Sequence, residues 1–196
     1  VNWAVLENAK ARTESADAII RQTDRTGVEF ESGRLKAASV TQEAGTGLRV
    51  VRGGRVGIAG TTGPDAAELV DRAIASAELG ETVPLAFPGK ASPPAVTTYA
   101  PAAADASLDQ LGAIGRELMA RLKRDGCQVN ASIERIRATT AIGNTRGASY
   151  DYQETAVVVS ADIRRIAGDD VLMIYDQYAG VGLPSALDID ALVTSI

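Results

Sequence analysis

The chain has no histidine, a single cysteine (Cys127) and only 4% aromatic residues. Without imidazole, Ser-His and Cys-His nucleophile pairs and the usual histidine-bearing zinc sites are excluded. One cysteine cannot close an internal disulfide, which fits a reducing compartment. We therefore expect a cytoplasmic protein. No apolar run approaches the roughly 18 residues that a membrane span needs, and the N-terminus lacks a basic-then-apolar signal pattern. Clustered positive charge is also absent. The net charge of 196 residues is −5, and the basic residues are scattered among acids, which argues against direct contact with nucleic acid.

What is present is aliphatic. Apolar residues make up 45% of the chain, so Ala, Val, Ile and Leu must build the core. Val1 to Arg12 reads as a helix and Ser15 to Gln22 as a short strand. Ser32-Gly33 lies between extended stretches and predicts a tight hairpin, because glycine accepts positive φ without steric cost. Gly53-Gly54 between alternating apolar residues predicts a second hairpin. Pro64 then opens a helix in which Ala66, Leu69, Val70, Ala73, Ile74 and Ala77 form an apolar stripe, with Gly80 as its stop.

Residues 82–106 hold five of the seven prolines and read as an extended surface connector. Ser107 with Gln110 gives a capping-box pattern, followed by a stripe of Leu111, Ile114, Leu118 and Leu122, with Gly126 as the end. Strands are expected at "CQVNASIERIRATTAI", "SYDYQETAVVVSADI" and "DVLMIYDQY", with a turn between Gly143 and Gly147. A last helix follows Pro184, with Leu187, Ala191 and Leu192 on its apolar side. Each half thus runs helix, antiparallel strands, helix. The expected fold class is α+β, antiparallel sheet with packed helices, in three stretches: 1–81, the connector 82–106, and 107–196. The chain ends at Ile196 within an apolar stripe, and we expect it to be part of a longer protein.

The chemistry-bearing residues form no constellation. The segment Gly45 to Asp65 carries seven glycines in twenty-one residues, but it lacks the lysine of a phosphate loop and the third glycine of a dinucleotide fingerprint. Only Gly60-Thr61-Thr62-Gly63 directly precedes a helix, whose N-terminus could hold an anion or small molecule. Glu29 and Glu31 share one side of a strand and could pair as acid and base. Asp169-Asp170 suits a solvated turn, and Asp188 and Asp190 sit near a helix start where acids are expected. Cys127 has no partner to activate it. Ser39, Ser132 and Ser160 have no visible base. No position is assigned as catalytic, cofactor-binding or metal-binding. The anion site and an independent carboxylate-based enzyme stand as alternatives.

The stretch from Val28 to Glu78 resembles the N-terminal region of the TldD/PmbA family, whose members carry the label of modulators of DNA gyrase. The likeness rests on Gly45, Gly47, Leu48, Arg49, Val50, Arg55, Gly57, Ile58 and Ala59, followed by a helix. Asn144 and Gly147 resemble the family's second region, where an Asn-x-x-Gly turn separates two long strands. The resemblance implies a relative of zinc metallopeptidases whose His-Glu-x-x-x-His motif lies in a C-terminal half, or a PmbA-like partner subunit that lacks the motif. "PPAVTTYAP" looks more PmbA-like. It further implies no cofactor in this chain, with zinc in the full-length member, a homo- or heterodimer with a TldD/PmbA-type subunit, and a peptide substrate. The chain would shape a peptide-access chamber and a subunit interface.

Overall fold

The computed structural model describes residues 3–196. In chain order the elements are α1 (Ala4–Lys10), β1 (Ser15–Glu31), β2 (Arg34–Arg52), β3 (Arg55–Thr61), α2 (Ala66–Glu78), α3 (Pro101–Ala104), α4 (Leu108–Leu122), β4 (Cys127–Asn144), β5 (Ser149–Ala167), β6 (Asp170–Gly180) and α5 (Ala186–Ser195). The strands form one sheet in the order β3-β2-β1-β4-β5-β6. The expected α+β class is what the chain adopts. Both hairpins turn where expected, with φ of 51° and 80° at Ser32-Gly33 and 59° and 71° at Gly53-Gly54.

Several boundaries differ from expectation. Val1 and Asn2 lie outside the described residues, and the first helix stops at Lys10. The short strand at Ser15 continues unbroken to Glu31. Its polar stretch stays extended because partners on β4 satisfy it: Arg137 bonds Asp24 at 2.6 Å and Arg135 bonds Thr26 at 3.0 Å. Pro64 precedes the α2 cap residue, Asp65, instead of opening the helix. The connector contains the short helix α3. In α5 the buried residues are Ile189 and Leu192, whereas Leu187 is 78% exposed. The capping box at Ser185 fixes the start of α5, and in that phase Leu187 faces outward and Ile189 inward, a choice that periodicity in so short a stripe leaves open.

The chain divides into two compact units. The first comprises residues 1–22, 43–96 and 139–152, and the second residues 23–42, 97–138 and 153–196. In the first, α1 and α2 bury Val5, Leu6, Leu69, Val70, Ala73 and Ile74 against Ala16, Ala18, Leu48 and Val50. In the second, α4 and α5 bury Leu111, Leu118, Leu122, Ile189 and Leu192 against Val28, Phe30, Ile133, Val157 and Val159. Strand alternation explains both cores: successive residues point to opposite faces, and only one face carries the apolar set.

The connector guards strand edges. Near its start the Val83 N–H donates to Gly54 and the Val56 N–H to Glu81, extending the sheet beyond β3. Near its end the Thr155 N–H donates to Thr98 and the Ala100 N–H to the Thr155 hydroxyl, which covers the early part of β5. Unpaired edges invite association with other chains, so covering them has a physical purpose.

Candidate functional site

In the first unit the glycine-rich stretch is architecture. A Cβ at Gly57 would lie 2.0 Å from the Ala73 carbonyl oxygen and 2.5 Å from the Ala77 nitrogen, so β3 meets the α2 backbone directly. The Arg55 guanidinium donates to the Gly80 carbonyl at 3.0 Å, closing the C-terminal end of α2. Arg49 forms a two-pronged pair with Asp17 (2.9 and 2.7 Å) and stacks over Phe87 at 5.3 Å. Its guanidinium is held further into the charged range by the hydrogen bond that it donates to Asp17. These contacts account for the alternation of glycine, arginine and aliphatic residues. Asn144 acts similarly: its Oδ1 accepts from Arg146 and Ala148, while its Nδ2 donates to Pro88 at 3.0 Å, tying the connector to the β4–β5 turn.

The N-terminus of α2 is already filled. The Asp65 carboxylate accepts from the N–H groups of Ala67 and Glu68, both at 2.9 Å. A fixed negative charge on these donors works against anion capture by the Gly60–Gly63 segment, since the same N–H groups would have to bind the ligand.

In the second unit, the sheet face away from α4 and α5 forms a groove of about 420 Å³. Glu29, Glu31, Asn130, Ser132, Ser160 and Asp162 line its floor, with Met173, Tyr175 and Gln177 along one wall. The register places Ser160 opposite Gln177, Asp162 opposite Tyr175, and Arg164 opposite Met173. Asp162 is fixed by Asn130 Nδ2 (3.1 and 3.2 Å) and by Arg164 Nε (2.9 Å). Lys36 closes on Glu31 at 2.9 Å, and that carboxylate raises the Lys36 pKa. The wall is apolar toward the β5–β6 turn, where Val171 is 70% and Tyr175 75% exposed.

Glu29 and Glu31 thus share a groove, but Glu31 is engaged as an ion pair with Lys36. Ser132 and Ser160 line the same groove, and among the described residues neither hydroxyl is bonded to a carboxylate. Asp188 caps α5, where bonds from the Ser185 hydroxyl and amide hold its carboxyl below the usual range. Asp190 pairs with Arg121 at 2.7 Å. Asp169 and Asp170 sit at the β5–β6 turn, and Cys127 is half-buried. The carboxylates weighed for an independent enzyme are therefore dispersed among structural tasks. Among the described residues no three His, Cys, Asp or Glu side chains gather as a metal ligand set. The donors among the described residues do not gather into a set that fits zinc.

Little in the sequence points to the groove. Asn130, Asp162, Arg164 and Tyr175 come from three strands, and only register brings them together. The available signal was alternation: polar residues at 160, 162 and 164 interleave with buried Val159, Ala161 and Ile163.

Fold and site together define an α+β region with an open strand edge and a groove on one face of the sheet. Residues 16–77 match the first domain of the PmbA/TldA metallopeptidases. No curated protein sequence matches the chain. Among solved structures, TldE from Thermococcus kodakarensis superposes with a TM-score of 0.80 at 18% identity, over 97% of this chain and 45% of that one. A protein from Thermotoga maritima, described as a candidate modulator of a DNA gyrase, gives 0.81 at 12% identity over 97% and 45%. One from Bacteroides thetaiotaomicron with a similar description gives 0.80 at 18% identity over 91% and 44%. At these identities the likeness concerns the fold, and the chain spans less than half the length of the structures it matches. The likeness to the PmbA/TldA metallopeptidases thus rests on residues 16–77, and the likeness to the solved structures on the fold.

Proposed function

We propose that the chain is the non-catalytic N-terminal part of a TldD/PmbA-type metallopeptidase, or of its PmbA-like partner subunit. It shapes the wall of a peptide-access chamber and contributes to a subunit interface in the cytoplasm. Zinc and the reactive groups would come from outside these residues. The observation that carries this reading is the outer edge of β2 over residues 34–45. There β2 has no strand partner among the described residues, because β3 pairs only from Thr46 onward. In a chain whose connector covers other edges, an open run of that length suits an extended peptide added as a further strand. The exposed apolar residues near the β5–β6 turn, Ile166, Val171, Leu172, Met173 and Tyr175, suit burial against another TldD/PmbA-type subunit.

The test is to measure bound zinc and peptide cleavage for the 196-residue chain alone and for the full-length protein in which it occurs. We expect no stoichiometric zinc and no cleavage from the isolated chain. Cleavage by the isolated chain with one zinc bound per molecule would overturn the assignment. Cross-linking of an unfolded peptide should map to residues 34–45. Labelling confined to other strands would remove the role of that edge.

A further inference from the structure

The second unit holds another cavity, on the α4 side of the sheet, that the proposed function does not use. It measures about 640 Å³ and lies between the C-terminal turn of α4, the β1–β2 turn and the start of β4. Its rim carries Arg34, Arg116, Lys123 and Arg124, its floor includes Phe30 and Met119, and no acidic residue lines it. Among the described residues none of these four cations is paired with a carboxylate. Of the nearby acids, Glu31 pairs with Lys36 and Glu117 with Arg121, and Asp125, next to Arg124 in the chain, does not line the cavity. Arg124 is held in place by donating to the Arg121 and Lys123 carbonyls at 2.9 and 3.0 Å. In a chain of net charge −5, four unpaired cations around one apolar floor are a local reversal of sign.

Part of this charge serves α4, because cations near a helix C-terminus offset its dipole. That explanation does not cover Arg34, which comes from β2, nor the cavity beneath the rim. Its volume falls within the range of small-molecule sites, about 300–1,000 Å³. Guanidinium forks match carboxylate and phosphate oxygens two at a time, and an apolar floor rewards an apolar body. We propose that this cavity binds a small organic anion, a carboxylate or phosphate head joined to an apolar body. The head sits among Arg34, Arg116 and Lys123, and the body rests on Phe30 and Met119.

The experiment is amide-resonance titration of the 196-residue chain with 4-phenylbutyrate, the neutral 4-phenylbutanol and inorganic phosphate. Phenylbutyrate should shift the amides of residues 116–129 and of Arg34, and bind at least tenfold more tightly than either of the others. The double variant Arg116→Gln/Lys123→Gln should weaken phenylbutyrate at least tenfold, while Arg72→Gln on the exposed side of α2 should leave it unchanged. Both substituted residues are exposed, so the fold should survive. Equal binding of the alcohol would remove the role of charge, and equal binding of phosphate the role of the floor. Undiminished binding by the double variant, shifts elsewhere, or no binding would overturn the site. None of these readouts depends on zinc or peptide cleavage, so failure here is separate from failure of the metallopeptidase reading.

Discussion

The helices that follow β3 and β6 occupy corresponding places in the chain order, yet they are held by different means. α2 lies against β3 so closely that only a hydrogen fits at Gly57. α5 instead buries two side chains, Ile189 and Leu192, and relies on polar ties: Ser185 with Asp188, and the Ser195 hydroxyl donating to Asp176. α2 also buries side chains, but its backbone seat adds one position that cannot vary. A helix held by side chains spreads the same task over several positions, each of smaller effect. Gly57→Ala tests this most directly. Its methyl would collide with backbone on two sides, and backbone cannot rotate away. We expect a loss of at least about 3 kcal/mol, or failure to fold, read by denaturant unfolding. A loss below about 1 kcal/mol would mean that α2 is not seated there.

Gly115→Ala makes the matching test in the second unit. A Cβ there would lie 2.1 Å from the Phe30 ring, a side chain rather than backbone. Phe30 is buried and packed, so it yields only partly. An intermediate cost of about 1–3 kcal/mol is expected. If Gly115→Ala proves the costlier of the two, the distinction between backbone and side-chain seating fails.

The same contrast explains what the sequence disclosed. Turns were legible because Ser32-Gly33 and Gly53-Gly54 sit where positive φ is required, a constraint that few residues satisfy. The capping box at Ser107 was legible because its donors and acceptors lie three residues apart. The full length of β1 was not. Thr23, Asp24, Arg25 and Thr26 read as an interruption, and their partners Arg135 and Arg137 lie more than a hundred residues away. Long-range register has no local signature. For this reason the groove around Asp162 and the basic cavity around Arg116 were both missed, and each looked like a solvated strand or helix face. Gly57 was noted only as part of a family pattern, since its reason is a neighbour on another element.

Helix caps come next in size. Asp65→Ala leaves two α2 donors without their acceptor and should cost about 1 kcal/mol. Ser107→Ala should cost a similar amount in α4. Asp65→Ala has a second use, because it exposes the N–H groups that an anion at the Gly60–Gly63 segment would need. Phosphate binding that appears only in this variant would agree with the carboxylate as the natural occupant. Equal phosphate binding by the unmodified chain would restore the anion-site reading.

The smallest effect concerns the charge on the α5 cap. Bonds from the Ser185 hydroxyl and amide lower the Asp188 pKa below the usual carboxylate range. A carboxyl lowered in the folded state contributes stability that is present above its unfolded pKa, and that contribution is lost as pH falls through the folded value. Asp188 is solvent-exposed, so the effect is small. Asp176, lowered by the Ser195 hydroxyl, titrates in the same acidic window. Melting temperature against pH for the unmodified chain alone would therefore blend the two groups. Ser185→Ala removes the hydroxyl's bonds to Asp188, keeps the amide's and leaves Asp176 untouched, so the difference between the two curves isolates the hydroxyl's share of the cap. That difference should hold steady from pH 7 to about 5 and narrow below about 4, where free carboxylates protonate. A gap that stays constant into acid would mean that the Ser185 hydroxyl serves α5 by accepting from the Asp188 N–H, with its bond to the Asp188 carboxylate contributing nothing.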